Sequence, residues 1–180
     1  MAFIKKKPRE RRAHSEFDDL SSATDVVKFA NDHGIVCAPL DVSELTKLLG
    51  IKMRFEPMDG DESGSLKKEK KTDEWIMTIN SLHHPHRQRF TIAHELGHFI
   101  QHSVLSDSFE DATFFRNGDM NRMETEANQF AAELLMPEDD FHSAISTGSQ
   151  KVEDIAEFFH VSSMAVRIRA KSLGYQGHNL

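Results

Sequence analysis

RQRFTIAHELGHFIQH, residues 87–102, is the stretch on which the reading of this chain turns. As an α-helix it sets His94 and His98 one turn apart on one face, with His102 a further turn on. Two imidazoles spaced in this way can close on one metal ion. Glu95, the next residue round from His94, then lies near a water on that metal rather than on the metal itself. Phe90, Ala93, Leu96, Phe99 and Ile100 recur at helical spacing, and Pro85 stands where a first turn begins, so the flanks predict a helix with a buried face. Gly97, inside the motif, costs helix stability, which makes sense where a second backbone or a substrate passes close by. The plain alternative is an amphipathic helix whose histidines are merely half-exposed.

The H-E-x-x-H pattern is the signature of zinc-dependent peptidases, and a catalytic zinc takes three protein ligands with one position left open. The third ligand is sought on the next strongly helical stretch, Met123 to Met136, where Met123, Ala127, Phe130, Ala131 and Leu134 make an apolar stripe. Glu124 stands beside that stripe, in line with Asn128 one turn on. A carboxylate placed there is costly unless it is paired or holds a metal, and Ala127 and Ala131 are small enough to let two helices approach. Glu124 is therefore the candidate third ligand, the alternative being an ordinary surface carboxylate, and Asn128 is the candidate for orienting a ligand from behind. Glu126, about 200° round the helix from Glu124, is expected to face solvent. The longer pattern H-E-x-x-H-x-x-G-x-x-H is excluded, because its glycine and third histidine would fall at Gln101 and Val104. His83, His84 and His86 sit in a loop with no spacing that fixes ligand geometry and are expected to face solvent.

At 180 residues the chain is long enough to bury a real core, and its 38% hydrophobic and 28% charged fractions are those of an ordinary globular domain. No apolar run is long enough for a membrane span, and Met1 to Ile4, ahead of Lys5, Lys6 and Lys7, is not followed by the apolar core of an export signal. One cysteine, Cys37, allows no internal disulfide, so a reducing, cytoplasmic setting is expected. The stretch 5–12, KKKPRERR, nets +5 within a total of −7, leaving −12 for the rest. Residues 1–20 thus read as a flexible basic arm. Such an arm either is a solvated terminus or touches nucleic acid or an acidic partner.

Elsewhere the chain predicts a helix over Ala23–His33 stopped by Gly34, and a second opened by Asp41 with Glu44 three residues on and closed at Gly50. Ile51–Glu56 alternates as a half-buried strand. The turn-rich and charged stretch from Pro57 to Asp73 suggests a hairpin, and Glu74–Asn80 is the next strand, one that could offer a free edge to an extended peptide. Residues 103–122 read as irregular. Pro137 ends one helix and opens another, and Val152–Phe159 with Ser163–Leu173 form a pair resembling a helix-turn-helix. Arg167, Arg169 and Lys171 on the second of these fit DNA contact. Val152, Ile155, Phe158, Phe159, Val161, Met164, Ala165 and Ile168 fit packing on the main body, which the net acidity favours. The boundaries expected are 21–147 for the main domain and 148–180 for a helical subdomain.

RQRFTIAHELGHFIQH, ETEANQFAAELLMP and IAEFFHVSSMAVRIRAKSLG together resemble the ImmA/IrrE family of metallopeptidases, over roughly residues 23–174. The resemblance implies an α+β fold with a zincin-like core, a small three-stranded sheet and the C-terminal helix pair. It also implies zinc, with manganese as the alternative, held by His94, His98 and Glu124, and Glu95 as the catalytic carboxylate. Members are typically regulatory proteases that cleave a helix-turn-helix repressor and so relieve repression, often carried by prophages or mobile elements. Some relatives carry an N-terminal DNA-binding domain for which this chain has no room, so a repressor is expected to be a separate polypeptide. The rival expectation is a metal-containing binding module that grips a repressor, a toxin or DNA without cutting. An intact Glu95 favours the enzyme.

Overall fold

The structure, a computed structural model, describes residues 17, 19–60, 62–110, 118–147 and 151–175. The expected basic arm lies outside the described residues apart from Phe17, Asp19 and Leu20. Among the described residues there are seven helices and four strands: α1 (Ala23–Asp32), α2 (Val42–Leu48), β1 (Lys52–Glu56), β2 (Gly64–Lys68), β3 (Trp75–Asn80), α3 (Pro85–His102), β4 (Ser108–Glu110), α4 (Gly118–Leu135), α5 (Glu138–Thr147), α6 (Val152–Phe159) and α7 (Ser163–Ser172). None of the helices is long and apolar enough to cross a membrane.

Local chemistry sets the helix ends. Ser22 and Asp25 close a capping box on α1, with Asp25 Oδ2 also accepting from the Ser21 hydroxyl, and Gly34 at φ +75° turns the chain away in the left-handed region. Asp41 Oδ1 accepts from the Glu44 amide at 2.9 Å to start α2, and Gly50 at φ +74° ends it. Pro85 occupies the first turn of α3, where its missing N–H costs nothing.

The sheet has four strands in the order β1-β3-β2-β4, one more than expected, because the three residues of β4 carry too short a pattern to be read in advance. β1 runs parallel to β3, while β2 is antiparallel to both β3 and β4. Of the stretch 57–73 read as a hairpin only β2 is a strand, and its antiparallel partner is β3, which was read as a separate strand. β3 is therefore an interior strand with both edges paired, so the free edge expected of it is not there; the sheet edges are β1 and β4. As an edge strand β1 is less buried than its alternation suggested: Phe55 is 49% exposed. Leu66, Met77 and Ile79 face the core and are fully buried.

Asn80, 1% exposed at the end of β3, fixes the passage into α3. Its Nδ2 donates to the carbonyl oxygens of Met58 and Glu62, and its Oδ1 accepts from the amides of Met58 and Leu82. Gln88 in the first turns of α3 donates to the carbonyls of Asn80, Ser81 and His83. Strand end and helix start are thus bound by side chains, which fixes the direction in which α3 leaves the sheet.

α3 packs along α4, and Gly97 marks the closest approach. A Cβ there would lie 3.1 Å from the Ala127 Cα and 3.2 Å from the Ala127 carbonyl oxygen, so the second backbone anticipated from the glycine is that of α4. Ala93, Leu96, Phe130, Ala131 and Leu134 fill the interface and join one apolar core that also includes Phe141, Val152, Phe159 and Val166 from the C-terminal helices. Phe158, Met164 and Ile168, expected to pack, are instead 48%, 62% and 59% exposed, because they fall on the outward faces of α6 and α7. Arg169, read as part of a basic surface, is turned inward at 7% exposure, and its Nε donates to the Met136 carbonyl at 3.0 Å just past the end of α4. Arg89 of α3 makes the matching tie, Nε to the Phe159 carbonyl at 3.3 Å, at the end of α6. Both cations meet helix C-termini, where the backbone carbonyls leave partial negative charge.

Candidate metal centre

α3 and α4 bring three of the candidate side chains to one point. His94 Nε2 and His98 Nε2 lie 3.1 Å apart, and the Glu124 carboxylate reaches both, Oε2 to His94 and Oε1 to His98, each at 3.2 Å. One ligand atom from each of the three falls within 4.8 Å of the others. The two imidazoles stand nearly perpendicular, at 81°. His94 and His98 are 6% and 2% exposed, whereas Glu124 is half-buried. The arrangement follows from the residues: i,i+4 spacing on α3 brings the two rings together on one face, Gly97 and Ala127 let the helices close, and Glu124 one turn before Asn128 points across the gap.

The outer nitrogens are held as well. His94 Nδ1 is 3.1 Å from Asn128 Oδ1, so Asn128 sits behind a candidate ligand. His98 Nδ1 is 3.1 Å from His102 Nδ1, and His102 Nε2 is 3.1 Å from Glu126 Oε2, whose other oxygen accepts from Arg122 Nε at 2.7 Å. Glu126 therefore does not turn to solvent as expected. Its rotation round α4 leads it away from Glu124 but toward the next turn of α3, where His102 waits. Phe109 of β4 stacks on the His98 ring at 4.7 Å and 13°, and Trp75 stacks on Phe109 in turn. Sequence reasoning missed Phe109 and Glu126; the i,i+4 step from His98 to His102 was the one available signal.

Electrostatics favour ligand forms of both groups. Burial pushes the Glu124 carboxyl up, but hydrogen bonds and charge from His94 and His98 outweigh it and hold the group down at about 2. Burial depresses His98 against the pull of Glu124, favouring the neutral ring. The donor set fits a cation on hydrogen-bonding grounds too. With His94 neutral and its Nδ1–H donated to Asn128 Oδ1, the Nε2 lone pair faces the carboxylate. Lone pairs from two rings and a carboxylate converging at about 3 Å call for a positive centre, and two histidines with one glutamate are a zinc set.

Glu95 is 1% exposed on the sheet side of α3, where a Cβ added to Gly64 would come within 3.3 Å of its Oε1. The other histidines stand apart: His84 is exposed, His83 is half-buried near Asn80, and His86 lies parallel to His160 at 6.2 Å. Arg87 donates to the Ser63 hydroxyl, and Tyr175 bonds His142 beside α5.

Residues 46–171 match the peptidase family described as the IrrE N-terminal-like domain. The chain is 32% identical over 118 residues to the metallopeptidase ImmA of Bacillus subtilis, a match covering 64% of this chain and 66% of that protein. It is 37% identical over 92 residues to the radiation response metalloprotease IrrE of Deinococcus radiodurans, covering 49% of this chain and 26% of that one. The chain thus spans just under two-thirds of the first relative and about a quarter of the second. In fold it is similar to a Mycobacterium tuberculosis transcriptional regulator, with a TM-score of 0.62 at 18% identity over 88% of this chain and 48% of that one. With the family matched over most of its length, the chain belongs to the ImmA/IrrE family of peptidases.

Proposed function

We propose that this chain is a zinc-dependent endopeptidase that cleaves a regulatory protein, a separately encoded helix-turn-helix repressor, and so relieves repression in the cytoplasm. The observation that carries the reading is the convergence of His94, His98 and Glu124 within 4.8 Å, with Glu95, the residue after His94, buried on the same helix. The metallopeptidase names of the relatives support the activity, and the resemblance in the three motifs supports the regulatory target. His94, His98 and Glu124 would hold zinc, or manganese in its place, with Asn128 orienting His94. Residues 21–147 form the catalytic unit, and 148–180 a helical subdomain packed upon it.

A zinc ion at this site would supply Lewis acidity, lowering the pKa of water from about 16 to near 7 and polarising the scissile carbonyl. Glu95 takes a proton from the attacking water and passes it to the leaving amine. Its burial suits that task, since a carboxylate removed from bulk water gives up little to competing solvation. Gly64, having no side chain, leaves room against Glu95 on the sheet side.

Co-expression with a helix-turn-helix repressor encoded nearby, followed by immunoblotting of the repressor, tests the reading. Wild type should yield a shortened repressor. Glu95→Gln should retain zinc and fold while cleaving roughly 100- to 10,000-fold more slowly, the usual contribution of a general base. Equal cleavage by both proteins would refute the role of Glu95, and an intact repressor with wild type would refute the target.

A further inference from the structure

We propose that His102 is a positioning residue for the metal centre: held by Glu126, it fixes the His98 ring in the tautomer whose Nε2 is free to bind the cation. The inference rests on the proposed metal site and extends it to a chain of three groups, Glu126 on α4 and His102 and His98 on α3.

The chain has one consistent set of protons when both rings are neutral. Glu126 is a carboxylate and only accepts, so the nitrogen 3.1 Å from it, His102 Nε2, must carry a hydrogen. A neutral His102 then has a bare Nδ1. That atom faces His98 Nδ1 at 3.1 Å, and a contact between two ring nitrogens at this distance needs one hydrogen, so it sits on His98. His98 Nε2 is left with its lone pair directed at His94 Nε2 and Glu124. The opposite assignment would place a bare His102 Nε2 against the carboxylate and a hydrogen on His98 Nε2, where the cation belongs.

Burial makes the choice matter. His98 and His102 are 2% and 3% exposed, so water is a poor substitute for either partner. Phe109, stacked at 4.7 Å, limits tilting of the His98 ring but has no bearing on which nitrogen carries the proton. Arg122, bonded to the far oxygen of Glu126 at 2.7 Å, restrains the carboxylate that starts the chain. On the other ligand the same task falls to Asn128. The two histidines are thus oriented by different chemistries, an amide behind His94 and an imidazole–carboxylate pair behind His98.

The test uses the full chain and zinc alone, titrated against a chromophoric chelator, with two-bond proton–nitrogen NMR on the zinc-loaded protein to read tautomers. In wild type, His98 should carry its proton on Nδ1 and His102 on Nε2. His102→Leu, which removes the acceptor, should weaken zinc binding roughly 10- to 100-fold, and His102→Gln, whose side-chain carbonyl can accept from His98, should recover most of that loss. Glu126→Ala, at a side chain 35% exposed and so tolerant of replacement, should weaken zinc binding in the same direction and keeps the test decisive should His102→Leu not fold. Zinc binding by folded His102→Leu or Glu126→Ala as tight as that of wild type would overturn the inference while leaving the metal site standing, as would a wild-type His102 protonated on Nδ1. Failure of wild type to bind zinc at all would overturn both.

Discussion

Gly97 carries two opposed effects, and distances decide between them. Alanine is worth roughly 1 kcal/mol over glycine inside a helix. Here, however, the added Cβ meets the backbone of Ala127 at 3.1–3.2 Å and Phe130 Cδ1 at 3.2 Å, and a helix backbone cannot step aside as a side-chain tip can. Gly97→Ala is expected to destabilise the protein by about 1–3 kcal/mol in chemical denaturation, as overpacking does, and to weaken zinc binding by spreading α3 from α4. An unchanged or raised stability would show that the interface gives. This residue was legible from sequence because a glycine in the middle of a strong helix is itself anomalous. Gly64 was not, since its cause, the nearness of Thr91 and Glu95 across the sheet–helix gap, lies far along the chain. Glu124 was legible for the reason that Glu126 was misread. Rotation about one helix axis finds the face toward a partner, but it does not say which turn of that partner stands opposite.

Among the elements, most helix ends were read closely because their signals are local, although α4 begins at Gly118, inside the stretch read as irregular up to residue 122. The Asp41 cap was read from such a signal, and the Ser22–Asp25 box, which was not, is of the same local kind: Asp25 Oδ2 accepts from the Ser22 hydroxyl at 2.7 Å, and Ser22 Oγ accepts from the Asp25 amide at 3.2 Å. Ser22→Ala should cost about 1 kcal/mol, measured by urea unfolding. Hydrogen bonds from Ser22, then Ser21, hold the Asp25 carboxyl below its ordinary 3.8, so its contribution is present above that pH and lost as pH falls through the lower folded value. The gap between wild type and Ser22→Ala should therefore narrow only in strong acid. Strands were harder. The parallel partnership of β1 with β3 and the existence of β4 depend on contacts between distant segments. The inward turn of Arg169 was hidden for a related reason, since a basic residue on a short helix looks the same whether it meets solvent or a carbonyl. Arg169→Met keeps the apolar stem but leaves the Met136 carbonyl without its donor, and should lower stability by about 1–3 kcal/mol in the same assay.

For the molecule as a whole, the metal site joins two helices that reach it from different directions, α3 out of the sheet and α4 from beyond β4. Nothing in an unfolded chain holds His94 and His98 near Glu124, which lies 26 residues past His98. A cation bound there consequently favours the folded state by its own binding free energy, about 2.7 kcal/mol at a free concentration one hundred times Kd. For a chain of this size that amounts to a rise in Tm of roughly 5–11 °C. Differential scanning calorimetry with zinc, against the same protein in chelator, should show the shift. Glu95→Gln should keep it, because Glu95 is assigned to the water and not to the ion. His94→Ala should abolish it, because one imidazole and one carboxylate leave the set short of the three ligands a catalytic zinc requires. A Tm that rises equally in His94→Ala and wild type would place the stabilising zinc elsewhere on the surface and separate it from the peptidase chemistry.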